Sequence, residues 1–368
     1  MNGTTPHRRS FHAALGALAL ASLIAACSAS TGGSASPAAP GAAGSTPAAP
    51  AASVAAAVAS LAADSASAPA GQSGGAGGMG GPGAASGPAA TYSNIAYASA
   101  SPSEVLDLWT PTTGTAPFPL VVFVHGGAFK GGDKAMEAGN VASVLANGYA
   151  AASLDYRLSG EAPFPAAVQD VKAAVRFLRA NAAKYGLDPD RFAAWGESAG
   201  GNLVAMIGTT GDQATNLDDP ALGNAGVSSA VQGVVDWYGP TDFLQMDAQF
   251  AAAPPAACNG QVQSHDPADS PESAYLGAAI QTVPDRAKAA NPITYVATAK
   301  KLPAFSIAAG DADCMVPNQQ SQVLQGALKA AGATSTFALV PGAGHGDQAI
   351  TTSQTPVALA MLASVFGK

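Results

Sequence analysis

Charged side chains are scarce in this chain, since only 11% of its 368 residues are Asp, Glu, Lys or Arg. All but two of the 16 basic residues and all but one of the 24 acidic residues follow residue 90, which leaves residues 91–368 acidic. A net negative charge disfavours binding to nucleic acid and to other polyanions. We therefore expect no nucleic-acid partner.

Aromatic residues are absent between residues 28 and 90, and Asp64 is the only charged residue there. Almost all of these residues are Ala, Gly, Ser, Pro or Thr. Such a segment cannot bury enough apolar surface to offset the entropy that is lost on ordering. The composition predicts a disordered linker over residues 27–90. Residues 91–368 are long enough to form one folded domain.

The chain begins with a basic segment that is followed by an apolar run. This run is shorter than the about 20 apolar residues that span a membrane, so residues 1–26 are predicted to be an export signal. Residues 24–27, Ile-Ala-Ala-Cys, resemble a bacterial lipobox and predict a lipid on Cys27 as the membrane contact. We expect an exported, membrane-anchored lipoprotein that faces the periplasm or lies on the cell surface. The Arg-Arg pair at residues 8–9 resembles a twin-arginine motif, which makes that export route an alternative to the general one.

Cysteine is rare, with three residues in the whole chain. If Cys27 carries a lipid, Cys258 and Cys314 remain as a pair. Disulfides persist in exported proteins, so we predict a Cys258–Cys314 disulfide. The alternative is a pair of buried thiols.

Strand-like and helix-like segments alternate along residues 91–368. Residues 120–124 form a continuous apolar run before a glycine turn, as in a buried parallel strand. Between residues 165 and 178, apolar side chains recur at helical spacing, and a last helix is predicted over residues 355–366. This alternation predicts an α/β fold with a mostly parallel sheet and helices on both faces. Residues 244–291 look loop-rich and are predicted to be a small cap insertion, with an ornamental insertion as the alternative.

The segment Gly196-Glu197-Ser198-Ala199-Gly200 lies between a short apolar run and a predicted helix. A strand, Gly-x-Ser-x-Gly and a helix in this order are typical of a nucleophile elbow, which holds the serine hydroxyl out of the sheet. The small flanking residues let neighbouring backbone come close to the turn. Ser198 is therefore the candidate nucleophile.

A serine hydroxyl needs a base, and the base needs an acid that orients it. Of the five histidines, two lie in the leader, one follows a strand and one lies in the insertion, which leaves His345 as the candidate base. The acid should follow the penultimate strand, where Asp311 and Asp313 both qualify. Weaker candidates, more simply interpreted as surface or turn residues, are Asp242 and Glu272.

Nucleophilic attack on a carbonyl creates a charged oxygen that fixed donors must stabilise. The glycine-rich turn His125-Gly126-Gly127-Ala128-Phe129 follows the predicted strand at residues 120–124 and can aim backbone N–H groups inward. We assign Gly127 and Ala128 as donors, with Gly126 as a further candidate. The N–H group of Ala199, directly after the nucleophile, is the other predicted donor.

This turn, and the order of Ser198, Asp313 and His345, resemble the α/β-hydrolase carboxylesterases of the His-Gly-Gly branch. That branch includes hormone-sensitive-lipase-like and bacterial feruloyl- or acetyl-esterase-like enzymes, and the resemblance covers the chain from about residue 101 onward. In these families the acid is the aspartate of Gly-x-x-Asp-x-x-Val-Pro, which implies Asp313. Asp311 would then bond its own backbone in the turn.

The resemblance implies no metal and no cofactor, and no ligand-spaced group of His, Cys and Asp suggests a metal. It implies a serine carboxylester hydrolase that forms an acyl-enzyme on small-molecule esters of short-chain or aromatic acids, of acetyl or feruloyl type. A serine peptidase of the same fold is an alternative, although such enzymes usually carry an extra domain. A catalytically silent binding lipoprotein is another, and the complete set of candidate residues counts against it.

Overall fold

The computed structural model describes residues 87–211, 213 and 215–367. The predicted export signal, Cys27 and nearly all of the predicted linker lie outside the described residues. Pro88 already contacts the folded part, because its carbonyl accepts a hydrogen bond from Trp109 Nε1 at 2.7 Å.

Eight strands form one sheet in the order β1-β2-β4-β3-β5-β6-β7-β8. The first two strands and the β2–β4 pair are antiparallel, whereas β3 to β8 run parallel to their neighbours. The strands are β1 Tyr92–Ala96, β2 Val105–Trp109, β3 Phe118–Val124, β4 Ala150–Leu154, β5 Leu187–Glu197, β6 Gly233–Trp237, β7 Ala304–Gly310 and β8 Ser335–Val340.

Ten α-helices are present among the described residues, and they connect or flank these strands. They are α1 Ala138–Ala146, α2 Ala166–Ala180, α3 Ala182–Tyr185, α4 Ala199–Thr210, α5 Met246–Ala252, α6 Pro271–Leu276, α7 Pro284–Ala289, α8 Ile293–Val296, α9 Gln319–Ala330 and α10 Gln348–Phe366. Short 3₁₀ helices lie at Lys134–Glu137, Pro220–Leu222, Phe243–Gln245, Ala256–Cys258 and Ile280–Thr282.

The sheet is buried on both faces. Side chains of β3 alternate, so that Val122 belongs to a core cluster with residues of α2, α4 and α9, while Phe123 belongs to one with residues of α1 and α10. This alternation follows from the two-residue period of a strand, and burial of both faces explains why the central strands read as continuous apolar runs. The predicted parallel sheet with helices on both faces is confirmed.

Helix α10 begins at Gln348, although the sequence predicts a start near residue 355. Asp347 caps it by accepting a hydrogen bond from the Ala349 N–H group, and Pro356 lies within the helix. By length and composition alone, α10 is apolar enough to cross a membrane. In this fold its buried side chains, such as Leu362 and Phe366, join the core against the sheet.

The insertion at residues 244–291 contains α5, α6, α7 and two complete 3₁₀ helices, short elements that the sequence did not predict, with loops between them. Ser270 caps α6 by accepting a hydrogen bond from the Ser273 N–H group, and Pro271 occupies its first turn. A Cys258–Cys314 disulfide, as predicted, ties the insertion to the loop after β7, with the two Cα atoms 5.6 Å apart.

Candidate active site

Ser198 occupies the sharp turn between β5 and α4, with φ 55° and ψ −123°. A non-glycine residue rarely adopts a positive φ, and such a conformation costs on the order of 1–3 kcal/mol. The turn requires glycine on both sides. A Cβ on Gly196 would lie 2.3 Å from the Gly200 carbonyl oxygen, and one on Gly200 would lie 2.0 Å from that of Val124.

The structure brings the three predicted residues of the reactive site together. Ser198 Oγ lies 2.9 Å from His345 Nε2, and His345 Nδ1 lies 2.7 Å from Asp313 Oδ2. The Asp313 carboxylate accepts hydrogen bonds, so Nδ1 carries the proton and Nε2 is free to accept one from Ser198. This arrangement can draw the proton from the serine hydroxyl as it attacks an electrophile.

Each of these residues follows the carboxyl end of a parallel strand, where the ends of β5, β7 and β8 meet at one edge of the sheet. The Asp313 side chain is fully buried, and its Oδ1 accepts the N–H groups of Met315 and Val316 at 2.8 and 2.9 Å. These bonds fix the carboxylate toward His345.

Asp311 is not turned toward the histidine ring. Its Oδ1 accepts the Gly342 N–H group at 2.6 Å, so it joins the loop after β7 to the loop after β8. The expectation that Asp311 bonds its own backbone was therefore wrong. Its role is to hold the two loops that carry Asp313 and His345 against each other.

The turn after β3 lies directly against the nucleophile turn. A Cβ on Gly126 would lie 2.9 Å from the Glu197 carbonyl oxygen, so only glycine fits there. Gly127, Ala128 and Phe129 all have positive φ, at 109°, 56° and 59°. Two consecutive strained non-glycine residues mark a turn whose shape is set by function rather than by local preference.

The predicted donors of this turn are available. Among the described residues, the N–H groups of Gly127, Ala128 and Ala199 have no protein acceptor. Ala199 is buried and directly follows Ser198, whereas Ala128 is half-buried and Gly127 is exposed in the turn that lies against the nucleophile. These N–H groups can stabilise a negative charge that develops on a bound carbonyl oxygen.

The side chain of His125, the first residue of this turn, holds the turn in place. Its ring is buried, stacks on Tyr156 with 4.4 Å between ring centroids, and places Nδ1 2.7 Å from the Gly126 carbonyl oxygen. Burial lowers the pKa of His125 despite that hydrogen bond. A neutral His125 therefore acts as a rigid part of the turn.

A carboxyl cluster beside the nucleophile escaped the sequence analysis. Asn140 Nδ2 donates to Glu137 Oε2 and to Glu197 Oε1, both at 3.0 Å, and the Tyr238 hydroxyl donates to Glu197 Oε2 at 2.5 Å. Burial, and next the charge of Glu197, raise the pKa of Glu137 to about 8. The Tyr238 ring packs edge-on against His345 at 4.7 Å, which links this cluster to the base.

No group of three or more His, Cys, Asp or Glu side chains within the described ranges is arranged to hold a metal ion. The weaker acid candidates lie elsewhere. Asp242 Oδ1 accepts a hydrogen bond from Asn291 at 3.2 Å, and Glu272 is buried beside His265 rather than on the surface.

A mostly parallel sheet with helices on both faces, whose strand ends carry a serine turn, an aspartate loop and a histidine loop in that order, defines the α/β-hydrolase fold. The chain belongs to the BD-FAE family, whose family model matches residues 106–328. The matched segment contains Ser198 and Asp313 and ends before His345.

Several known proteins are similar to this chain. Esterase LipQ of Mycobacterium tuberculosis is 31% identical over 291 residues, which cover 76% of this chain and 64% of LipQ. The chain thus spans less than two thirds of that relative. Two solved structures are 33% identical. One is described as a truncated form of carbohydrate esterase from gut microbiota, with a TM-score of 0.67 and coverage of 75% of this chain and 96% of that one. The other is a bifunctional GH43-CE protein of Bacteroides eggerthii, with a TM-score of 0.65 and coverage of 74% and 38%.

Proposed function

We propose that this protein is a serine carboxylester hydrolase. The observation that carries the proposal is the continuous contact from Asp313 through His345 to Ser198 Oγ, at 2.7 and 2.9 Å. Unpaired N–H groups next to the hydroxyl supply the second requirement of acyl transfer. The name of esterase LipQ and the solved structure described as a carbohydrate esterase support the same reaction class.

In the proposed first step, Ser198 Oγ attacks the ester carbonyl carbon while His345 Nε2 takes the hydroxyl proton. The carbonyl oxygen becomes an oxyanion that accepts hydrogen bonds from the N–H groups of Gly127, Ala128 and Ala199, and loss of one such donor typically costs about 3 kcal/mol of barrier. Asp313 stabilises the imidazolium that forms. When the tetrahedral intermediate collapses, its bond to the alcohol oxygen breaks and His345 returns the proton to that oxygen.

In the second step, water replaces the alcohol. His345 removes a proton from water, which attacks the acyl carbon, and the bond to Ser198 Oγ breaks as the proton passes from His345 to the serine oxygen. A free acid is released and the serine hydroxyl is restored. The same donors stabilise both oxyanions.

We propose that the substrates are small esters with short-chain or aromatic acyl groups, of acetyl or feruloyl type. The sequence contains no evident long apolar lid of the kind that suits long-chain substrates. The solved structure described as a carbohydrate esterase favours acyl groups carried on a carbohydrate hydroxyl.

The test is hydrolysis of a nitrophenyl ester series from acetate to palmitate, with feruloyl esters and acetylated xylan, by the wild type and by Ser198→Ala. We expect turnover that is greatest on short or aromatic acyl groups and absent in Ser198→Ala. Equal turnover in Ser198→Ala would refute the mechanism, and cleavage of amides without esters would favour a peptidase.

We also propose that the protein is exported and held at a membrane by a lipid on Cys27. The leader, the lipobox-like residues 24–27 and the Cys258–Cys314 disulfide support this location. Cys27→Ser should move the protein from the membrane fraction to the soluble fraction, whereas Ser28→Ala should not. Unchanged membrane association in Cys27→Ser would contradict the proposal.

A further inference from the structure

The insertion at residues 244–291 holds the loop that carries Asp313 through three contacts, which reach two successive residues of that loop. The Cys258 disulfide holds Cys314, the Gln263 N–H group donates to the Cys314 carbonyl oxygen at 2.8 Å, and His265 Nε2 lies 2.9 Å from the Met315 carbonyl oxygen. Only the histidine contact involves a group that can change its charge near neutral pH. Of these three contacts, the His265 contact is therefore the one whose strength can change with pH.

His265 is buried, with 1% of its surface exposed, and its other ring nitrogen also faces an acceptor. Nδ1 lies 3.0 Å from Oε2 of the buried Glu272, a contact that becomes an ion pair when the imidazole is protonated. A neutral imidazole has one N–H group, so it can satisfy only one of these two acceptors. Both contacts are attractive only in the imidazolium form.

The groups that face His265 come from three elements. Glu272 lies on α6, and the Met315 carbonyl oxygen lies on the loop after β7. Asp247 on α5 accepts the His265 backbone N–H group at 2.7 Å, and the Phe250 ring of the same helix stacks on the imidazole at 6.2 Å. Burial lowers the pKa of His265, but Glu272, Asp247 and the Met315 carbonyl oxygen outweigh it, so the pKa is raised above its usual value.

One peptide group connects His265 to the reactive site. The carbonyl oxygen of Met315 and the N–H group of Val316 belong to the same peptide unit. The oxygen accepts from His265, and the N–H group donates to Asp313 Oδ1 at 2.9 Å. A cation at the oxygen polarises the unit and strengthens the N–H group as a donor, since hydrogen bonds in a chain reinforce one another.

We infer that His265, held as an imidazolium by Glu272, is a positioning residue that orients Asp313 through the Met315–Val316 peptide. The inference rests on the proposed ester hydrolysis. It adds a second carboxylate–histidine pair, Glu272 and His265, behind the Asp313–His345 pair. Its consequence is a loss of kcat as rising pH removes the second proton from His265. The Glu272 carboxylate then faces a lone pair on Nδ1. The contact between His265 and the loop that carries Asp313 weakens as a result, while substrate binding is little affected.

The experiment compares Glu272→Gln and His265→Gln with the wild type in the full chain. Ser273→Ala is the matched control, because Ser273 is the neighbour of Glu272 on α6 and the variant loses only local bonds to Pro267, Ser270 and Ile280. kcat and KM for nitrophenyl acetate are measured from about pH 5 to about pH 10. Glu272→Gln should move the alkaline decline of kcat to lower pH. His265→Gln should lower kcat about tenfold at neutral pH with little change in KM, because a misplaced acid costs rate rather than binding.

The inference is overturned if the kcat profiles of Glu272→Gln and His265→Gln match that of Ser273→Ala. A second readout is independent of turnover: ¹⁵N NMR of histidine-labelled protein should find the His265 ring doubly protonated at neutral pH, and singly protonated in Glu272→Gln. A singly protonated ring in the wild type also refutes it. If His265→Gln does not fold, the kcat profile and the NMR spectrum of Glu272→Gln are sufficient for the test. Failure of the proposed function would appear differently, as turnover that persists in Ser198→Ala.

Discussion

At the residue scale, two aspartates that lie on one turn, only two residues apart, make different contacts. Asp313 Oδ2 contacts His345, whereas Asp311 Oδ1 accepts the Gly342 N–H group. Asp313→Asn should lower kcat by roughly 10³–10⁴-fold, because an amide facing Nδ1 favours the wrong tautomer of the base. Asp311→Asn keeps an acceptor oxygen for Gly342 and should retain most of the activity. Equal losses of kcat in the two variants, measured on nitrophenyl acetate, would contradict this assignment.

Tyr238 contacts the site in two separable ways, since its ring packs against His345 and its hydroxyl bonds Glu197. Tyr238→Phe keeps the ring and removes the donor, so we expect kcat near the wild-type value and a loss of about 1 kcal/mol of unfolding free energy. Tyr238→Ala removes both and should also lower kcat, by about tenfold, as His345 loses its lateral support. Steady-state kinetics and urea denaturation separate the two effects. Similar kcat values in the two variants would show that the ring does not position the base.

At the element scale, two glycines at helix interiors offer a matched comparison. A Cβ on Gly326 of α9 would meet nothing within 4 Å, whereas one on Gly208 of α4 would lie 2.8 Å from both Phe305 Cζ and Val234 Cγ2. Gly326→Ala should raise the unfolding free energy by about 0.5–1 kcal/mol through backbone entropy. Gly208→Ala gains the same term but overpacks the core, which costs about 1–3 kcal/mol. Urea midpoints that shift in the same direction for both variants would refute this account.

Whether the sequence predicts a given strand or helix depends on its length and on which of its faces are buried. The central strands are apolar on both faces, so the sequence shows them as continuous apolar runs. The sequence analysis did not predict β1, which is largely exposed, or β2, which is only five residues long. The start of α10 was placed too late because Pro356 looks like a helix start, while the actual cap is Asp347. The helices of the insertion are too short to show a periodic pattern in the sequence.

The site was predictable where chemistry and chain order agree. Ser198, Asp313 and His345 follow the ends of β5, β7 and β8, in the order that the elbow implies. The Glu137–Glu197 cluster was not predictable, because its members come from segments far apart in sequence. His265 and Glu272 are close in sequence, but no motif indicates that they contact each other or that His265 reaches the loop after β7. Only tertiary packing makes these groups neighbours.

At the scale of the whole molecule, buried carboxyl groups make the free energy of unfolding depend on pH. Burial raises the pKa of Asp236 on β6 to about 7, even though its Oδ1 accepts the Gly239 N–H group. The unfolded chain releases this proton near pH 4, so between about pH 4 and pH 7 the folded state holds one proton more. The Asp236 contribution to stability is therefore complete below pH 4 and is lost as pH rises through 7.

Asp236→Asn removes this titration. We expect the unfolding free energy of the variant to fall less steeply than that of the wild type between mildly acidic and neutral pH, whatever the offset between the two curves. Urea denaturation at several pH values measures the two slopes. Parallel curves would mean that Asp236 is ionised in the folded protein over this range.

Helix α10 begins just after His345 and ends at the opposite edge of the sheet, where the Phe366 ring meets Tyr149 and its carbonyl oxygen meets Arg191. It crosses from the reactive edge to the edge at which the parallel strands begin. An affinity tag or a support matrix joined beyond this helix would leave the mouth of the site unobstructed. Immobilised protein coupled in this way should keep its access to bulky, polymer-borne esters.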